Sequence, residues 1–138
     1  MFTSISTINW LSVLLAFVAY SFLGAMWYLF LFPKAYRKSL GRDPQINPSE
    51  APIFIVGPMA CVAVTTIASA ILLYALKIES FGETIAFTLV IGVGFLVANT
   101  VNISINPNIP NPGSYGMITG FYHLVGITLV NTILIVMK

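Results

Sequence analysis

Four long apolar stretches take up most of the 138 residues, and they are the feature that most limits the possible folds. They lie at about residues 8–32, 53–76, 84–105 and 114–137. A helix of about 20 apolar residues, rising about 1.5 Å per residue, crosses a hydrocarbon core of about 30 Å. Each stretch is therefore predicted to be a transmembrane helix. The expected fold is an all-α, integral membrane four-helix bundle, forming a single transmembrane domain over residues 1–138.

The composition excludes a soluble protein. Hydrophobic residues make up 58% of the chain and charged residues only 7%, whereas soluble domains carry about 25% charged residues. The mean hydropathy is +0.95. The net charge of +2 is too small a basic excess to indicate binding to nucleic acid. The lipid bilayer is therefore an expected partner, and nucleic acid is not.

The first connection, residues 33–52, is a basic loop that holds six of the ten charged residues. Its first part, Lys34 to Leu40, is predicted to form a short helix at the level of the lipid headgroups, ended by Gly41. Its last part, Asn47 to Glu50, has the amide, proline and acid that are typical of a helix start. We interpret the segment as a connecting loop rather than as a separate domain.

Local signals also mark the other helices. Pro58 cannot donate a backbone hydrogen bond, so it should kink the second helix about one turn inside the membrane. Ser80 and Glu83 have the spacing of a capping box before the third helix. Asn111 and Pro112 combine an amide cap with a proline at the first helical position, which predicts the start of the fourth helix.

The distribution of basic residues predicts the orientation. An even number of spans puts both termini on one face together with Lys77 and Lys138, while the first and third connections share the other face. The second face has four basic residues, which are Lys34, Arg37, Lys38 and Arg42. Basic residues favour the cytoplasmic side. Both termini are therefore predicted to lie outside the cytoplasm.

Polar residues are predicted to cluster in the leaflet nearer the basic loop. His123, the only histidine, lies about 13 Å along the fourth helix. Asn99 and Asn102 lie near the corresponding end of the third helix, and Trp27 and Tyr28 near that of the first. A histidine in hydrocarbon needs protein or water around it and usually pairs with another polar group. The expected partner of His123 is an amide of the third helix or the Tyr28 hydroxyl.

This cluster has two interpretations. In the functional one, a polar pocket or narrow pore places His123 where it binds a ligand or relays protons, since imidazole ionises near neutral pH. In the structural one, a neutral imidazole holds two helices together through one hydrogen bond, worth about 0.6 kcal/mol. Gly116 and Gly120 form a small-xxx-small motif that allows close helix packing, within the chain or between subunits.

No catalytic or metal-binding arrangement is recognisable. All four carboxylates fall outside the spans or at a helix end, which disfavours a carboxylate-based antiporter. The lone His123 and the lone Cys61 lie on different helices and do not make a metal site. No nucleophile with a base and an orienting group can be identified. We therefore expect neither an enzyme nor a metal or cofactor site.

Several short motifs resemble the bacterial family catalogued as domain of unknown function 1761. They are Asn9-Trp10, Leu23-Gly24 with Trp27-Tyr28, Leu40-Gly41, and Gly120-Phe121-Tyr122-His123-Leu124-Val125. The resemblance spans essentially the whole chain and implies a small four-helix protein of the bacterial inner (cytoplasmic) membrane. The matching positions that it marks are Asn9, Trp10, Gly24, Trp27, Tyr28, Tyr122 and His123. The family supplies no activity, so the resemblance implies an architecture and a site around Tyr122 and His123.

Two functions remain open. The first is a homo-oligomeric, channel- or transporter-like bundle whose candidate ligand or pore-lining residues are His123, Tyr122, Asn99, Asn102, Trp27 and Tyr28. Its motivation is the intramembrane histidine and the row of Asn99, Asn102 and Asn106 on one side of the third helix. The second is a non-catalytic accessory or scaffold subunit that packs against a larger membrane complex. The low charge, the small extramembrane mass and the small-residue helix faces favour it.

Overall fold

The computed structural model describes residues 2–43, 45 and 51–138, and all regular structure in them is helical. The predicted start signal at Asn47 to Glu50 lies outside the described residues. The elements, in chain order, are a 3₁₀-helix Phe2–Thr7, α1 Trp10–Ala25, a π-helix Met26–Leu31, α2 Pro33–Ser39, α3 Ile53–Ala75, α4 Phe81–Ile91, a second π-helix Gly92–Val97, α5 Ala98–Ser104 and α6 Pro112–Val136.

Four continuous helical segments are long and apolar enough to cross a membrane. They are Trp10–Leu31, Ile53–Ala75, Phe81–Ser104 and Pro112–Val136. The first consists of α1 and the π-helix that follows it, and the third consists of α4, the second π-helix and α5. The predicted all-α membrane fold is confirmed.

The fourth span, α6, is the centre of the bundle, because it packs against α1, α3 and the third span. Its buried residues lie on several sides of the helix and include Gly116, Tyr122, Ile127, Val130 and Leu134. The other three spans bury a smaller share of their length and present most of their apolar side chains outwards. Outward apolar residues suit a bundle whose surroundings are lipid.

Small residues let the neighbouring helices approach α6 closely. A Cβ atom on Gly92 would lie 2.9 Å from Cδ1 of Leu124 and 3.0 Å from Cγ2 of Ile127. A Cβ atom on Gly116 would lie 3.0 Å from Oγ of Ser104. The small-xxx-small motif of α6 therefore packs against the third span of the same chain, which is one of the two arrangements expected from the sequence.

Polar contacts close the bundle at the face of the two termini. The side-chain oxygen of Asn9 caps α1 by accepting from the N–H groups of Leu11 and Ser12. Its Nδ2 donates to the carbonyl of Met137 at 2.8 Å, which joins the start of α1 to the end of α6. Asn9 also donates its backbone N–H to the Tyr74 hydroxyl at 3.1 Å. On the same face, the predicted capping box at Ser80 is present.

On the opposite face, the end of α2 is attached to the start of α6. The short helix is close to its predicted bounds, and Gly41 follows it with a φ of 66°. A Cβ atom at Gly41 would lie 2.9 Å from Cγ of Pro110. The predicted start of α6 is confirmed, with Asn111 at the N-cap position and Pro112 first in the helix, but the side chain of Asn111 makes no capping hydrogen bond. Its Nδ2 donates instead to the carbonyl of Lys38, because α2 lies within its reach.

The two ends of the second span, α3, differ in how much of their surface is buried. The helix is continuous through Pro58, yet every residue of Ile53–Val56 is exposed. The first buried side chain of α3 is Val62, one turn beyond the proline. Packing against the bundle is therefore concentrated in the part of α3 that follows Pro58.

Candidate functional site

The site is centred on a hydrogen bond between the first and fourth spans. The hydroxyl oxygen of Tyr20 lies 2.9 Å from Nδ1 of His123. Tyr20 is 1% exposed and His123 is half-buried. His123 is eleven residues into α6, about 16 Å along the helix axis, so the pair lies near mid-membrane. A neutral imidazole protonated on Nε2 accepts from Tyr20 here, whereas an imidazolium would donate to it.

An aromatic column connects this pair with the face of the basic loop. We define it as the rings of Tyr20, Tyr122, Tyr28, Tyr36 and Tyr115. The centroid distances between successive rings are 5.3, 5.1, 4.8 and 5.9 Å. Such distances lie in the range in which aromatic rings attract one another. The column thus runs from the middle of the membrane to the start of α6 as a series of packed rings, each with a hydroxyl group.

Trp27 packs against the side of this column and is itself held by a hydrogen bond to α6. Its Nε1 donates to the backbone carbonyl of Ile118 at 3.0 Å, and its ring lies 6.2 Å from that of Tyr122. Trp27 and Tyr28 both belong to the π-helix Met26–Leu31. A π-helix changes the angular spacing of side chains, and such segments are frequent at functional sites. Here it occurs where the first span contributes two aromatic side chains to one cluster.

A second polar contact lies on the other side of mid-membrane. Nδ2 of Asn131, on α6, donates to Oγ1 of Thr88, on α4, at 2.9 Å, and both residues are buried. Between this contact and the Tyr20–His123 pair lie Ala16, Ile127 and Val130, each with an exposed fraction of 0%. We call these three residues the apolar layer. The Tyr20–His123 and Asn131–Thr88 contacts thus form two polar clusters that the apolar layer separates. Other buried hydroxyl residues, such as Ser12, Thr66 and Ser69, are also present in the bundle.

Three buried oxygen atoms near these clusters have no hydrogen-bond partner among the described residues. They are Oγ of Ser21, Oγ1 of Thr119 and Oδ1 of Asn131. Ser21 follows Tyr20 in sequence, and Thr119 lies one turn before His123. Buried polar atoms nearly always have partners, and ordered water supplies those that the protein does not. The site therefore has acceptors with which water molecules in the bundle would bond.

The structure places the predicted site residues in two groups. His123, Tyr122, Trp27 and Tyr28 come together in the cluster described above. Asn99 and Asn102 do not join them, because both are exposed while their neighbours Thr100 and Ser104 are buried.

The predicted partner of His123 was therefore wrong. The turn of α5 that faces α6 carries hydroxyl side chains rather than amides, and His123 bonds to Tyr20 of the first span. Asn106, the third member of the predicted row, lies beyond the end of α5 and accepts from the backbone of Asn108.

Among the structural candidates, Asn9 ties the ends of α1 and α6 together and the neighbouring Trp10 is 49% exposed at the head of α1. Gly24 lies beside Tyr122, since a Cβ atom there would lie 3.0 Å from the Tyr122 hydroxyl. Gly116 and Gly120 face α5 and the second π-helix. These positions hold the helices that carry the site.

Two residues of the column, Tyr20 and Tyr115, were not predicted from the sequence. A signal for Tyr20 exists, because it precedes Trp27 and Tyr28 by seven and eight residues and so lies on the same helix face two turns away. Tyr115 has a weaker signal, seven residues before Tyr122 on α6. Both residues are uncharged and apolar in most of their surface, so they do not stand out in an aromatic-rich chain.

Tyr36 lies outside the spans, at the end of the column nearest the basic face. Burial, together with the neighbouring Tyr115, raises the pKa of its hydroxyl, so that this residue stays neutral. On the opposite face, at the start of the third span, the carboxylate of Glu83 accepts from the backbone N–H groups of Glu79 and Ser80. On the same face as Glu83, Nζ of Lys138 donates to the carbonyl of Ile78 and lies 5.0 Å from the centroid of the Tyr74 ring.

Four apolar helices around a buried polar cluster define a small polytopic membrane protein. Its sequence matches the family described as protein of unknown function (DUF1761) over residues 11–135, and the chain belongs to that family. The matched region contains both Tyr20 and His123. No curated protein and no solved structure matches the chain.

Proposed function

We propose that this protein is a channel- or transporter-like bundle that moves protons or a small polar solute, working as a homo-oligomer. The observation that carries the proposal is the Tyr20–His123 hydrogen bond at the inner end of the aromatic column. Hydroxyl and imidazole groups both donate and accept protons, and imidazole changes its charge near neutral pH. An intramembrane histidine with a named partner is a functional candidate on physical grounds.

The two polar clusters support a pathway that is closed in this conformation. From the basic face, the column leads to Tyr20 and His123, and beyond the apolar layer lie Asn131 and Thr88. Hydrophobic constrictions gate small pores by excluding water. In this proposal, the apolar layer is the gate, and the oxygens of Ser21 and Thr119 hold water on its near side.

Outward amides support the proposed oligomer. Asn99 and Asn102 are exposed on the third span, where the rest of the outward surface is mostly apolar. Amide groups that face hydrocarbon are unfavourable, whereas amides between helices form hydrogen bonds. A second copy of the chain at this surface would give both amides partners.

We further propose that the basic face is cytoplasmic, in an inner membrane, and that both termini lie outside the cytoplasm. The support is the set of four basic residues at Lys34, Arg37, Lys38 and Arg42. In this orientation, the aromatic column begins at the cytoplasmic surface and the Asn9 contacts lie at the opposite one.

The direct test is proton flux into vesicles that contain the purified protein and a trapped pH-sensitive dye. A potassium diffusion potential supplies the driving force. We expect wild-type vesicles to acidify faster than empty ones, His123→Ala to lose at least about 90% of that difference, and Tyr20→Phe to lose a large part of it.

Tyr74→Phe is the matched control, because it removes a hydroxyl that contacts Asn9 far from the column. It should retain the wild-type flux. The same vesicles would then be tested for swelling in small polar solutes. If His123→Ala is folded and matches wild type in both assays, the proposal is wrong.

An accessory subunit is the second candidate, and one observation favours it. The apolar residues Ile53 to Val56 and Met59 of α3 are all exposed, so this end of the second span contacts little of its own chain. Such a surface suits a helix of a larger membrane protein as well as it suits lipid. In this proposal, the protein has no catalytic role and the Tyr20–His123 bond only specifies packing.

Native mass spectrometry of the protein, extracted in mild detergent from the membranes in which it is made, separates the two candidates. A discrete multiple of the mass of the chain supports the homo-oligomer. A larger protein bound in a fixed ratio supports the accessory subunit. The flux assay would then be carried out on that complex.

A further inference from the structure

A pocket with a basic side chain, which we call the headgroup pocket, lies between α2 and the start of α6. Its volume is about 460 Å³, and its polar lining consists of Lys38, Ser39, Asn111 and Ser114. Asn111 holds the two sides of this pocket together, because its N–H donates to the carbonyl of Ser39 and its Nδ2 to that of Lys38. The backbone of Lys38 is therefore held beside the start of α6, and its side chain lines the pocket.

The start of α6 adds to the positive potential of this headgroup pocket. The helix has 25 residues, and no side chain caps its first turn. Uncapped N–H groups and the helix dipole favour an anion at a helix N-terminus. Lys38 and the first turn of α6 thus both contribute positive potential to the headgroup pocket. Further positive charge in the same loop comes from Lys34, Arg37 and Arg42.

An apolar groove lies next to the headgroup pocket. Its volume is about 510 Å³, and it lies between the third span and α6. Met117 lines both the groove and the headgroup pocket. The groove extends along α6 from Pro112 to Leu124, about 18 Å by helix rise, and one leaflet of the hydrocarbon core is about 15 Å thick. Gly116 and Gly120 lie at the floor of the groove, where α6 packs closely against Ser104 and Val97 of the third span.

We propose that this pocket and groove together bind one anionic phospholipid. The phosphate lies beside Lys38 and the first turn of α6, and an acyl chain lies in the groove along the exposed side chains of Met117 and Phe121. Basic pockets next to membrane helices recognise anionic headgroups by this chemistry. The adjacent apolar groove selects a lipid over a soluble phosphate, because a free anion would leave the groove of about 510 Å³ unfilled.

The test is lipid binding to the delipidated full-length protein, measured by native mass spectrometry. Equal amounts of dioleoyl phosphatidylglycerol and dioleoyl phosphatidylcholine are added, so that only the headgroup differs. We expect wild type to retain the anionic lipid at least about fivefold better, and Lys38→Gln to lose about fivefold of that preference, as one basic contact contributes about 1 kcal/mol.

Lys34→Gln is the matched control. Lys34 is on the same short helix and carries the same charge, but it does not line the headgroup pocket. It should change the preference less than about twofold. Both lysines are exposed, so neither variant should disturb the fold. Equal losses in the two variants would mean diffuse surface attraction and would overturn the proposal.

Two further measurements separate a lipid from a soluble anion. Excess inorganic phosphate should leave bound phosphatidylglycerol in place, and a short-chain phosphatidylglycerol should be retained less well than the dioleoyl form. Displacement by phosphate, or equal retention of both chain lengths, would make the site one for a free anion. Equal binding of the two dioleoyl lipids by wild type would exclude an anionic-lipid site altogether.

Discussion

The ring of Tyr20 occupies the space that a Cβ atom on Gly126 would need. The first span and α6 are therefore in direct contact at the height of the site, with a glycine on one side and an aromatic ring on the other. Tyr20 is also the residue that bonds to His123, one turn earlier on α6. The position of the polar pair thus depends on the absence of a side chain at residue 126.

Gly126→Ala should displace Tyr20 and weaken the contact between α1 and α6. Overpacking of a tightly packed interior costs about 1–3 kcal/mol, and we expect a loss of this size in the free energy of unfolding, measured in detergent. Gly94→Ala is the control, since nothing lies within 4 Å of a Cβ atom there. It should be neutral or stabilise by up to about 1 kcal/mol. Equal effects of the two changes would contradict the packing described above.

The Tyr20–His123 bond should be measurable as a coupling between two residues. A double-mutant cycle with Tyr20→Phe and His123→Ala should give a coupling free energy of about 0.6 kcal/mol, and not above about 1.7, as is typical of polar pairs between membrane helices. The comparison cycle uses Tyr122→Phe, whose ring lies 4.9 Å from His123 but whose hydroxyl does not bond to it. Its coupling should be near zero, and a larger value there than for Tyr20 would refute the assignment.

Asn131 and Thr88 should show an asymmetric response to substitution. Thr88→Val removes the acceptor of the Asn131 amide and leaves a buried amide without any partner among the described residues. We expect a loss of about 0.6–1.7 kcal/mol in the free energy of unfolding. Replacing both residues, with Asn131→Leu added, should recover most of this loss, because apolar groups need no partner. Additive losses in the double variant would show that the two residues do not interact.

The fold was largely predictable from local sequence signals. Four apolar stretches gave four spans, and Ser80 with Glu83 and Gly41 marked a helix start and a helix end that the structure contains. These signals depend on residues near one another in sequence, or on the thickness of the membrane. Neither depends on how the helices are rotated relative to one another.

The partners within the site were not predictable in this way. The row of Asn99 and Asn102 was correctly placed on one helix face, but the rotation of the third span turns that face outwards. The rotation follows from packing. Gly92 and Ser104 of the third span lie against α6, where Gly116 faces Ser104, and this close contact is on the side of the third span opposite to the two amides. Asn111 was correctly placed at the start of α6, but the partner of its side chain was missed for a related reason, because the bond to Lys38 involves a residue 73 positions away.

Glu83 should stabilise the start of α4 through its capping box. Its carboxylate accepts from the N–H groups of Glu79, at 3.2 Å, and Ser80, at 3.3 Å, while the Ser80 hydroxyl accepts from the N–H of Glu83. Glu83→Ala removes the two bonds of the carboxylate and leaves both backbone donors without that partner, so this variant should melt at a lower temperature than wild type. Glu79→Ala keeps its backbone donor and should melt close to wild type. Equal melting temperatures of Glu83→Ala and Glu79→Ala would contradict the role given to the carboxylate.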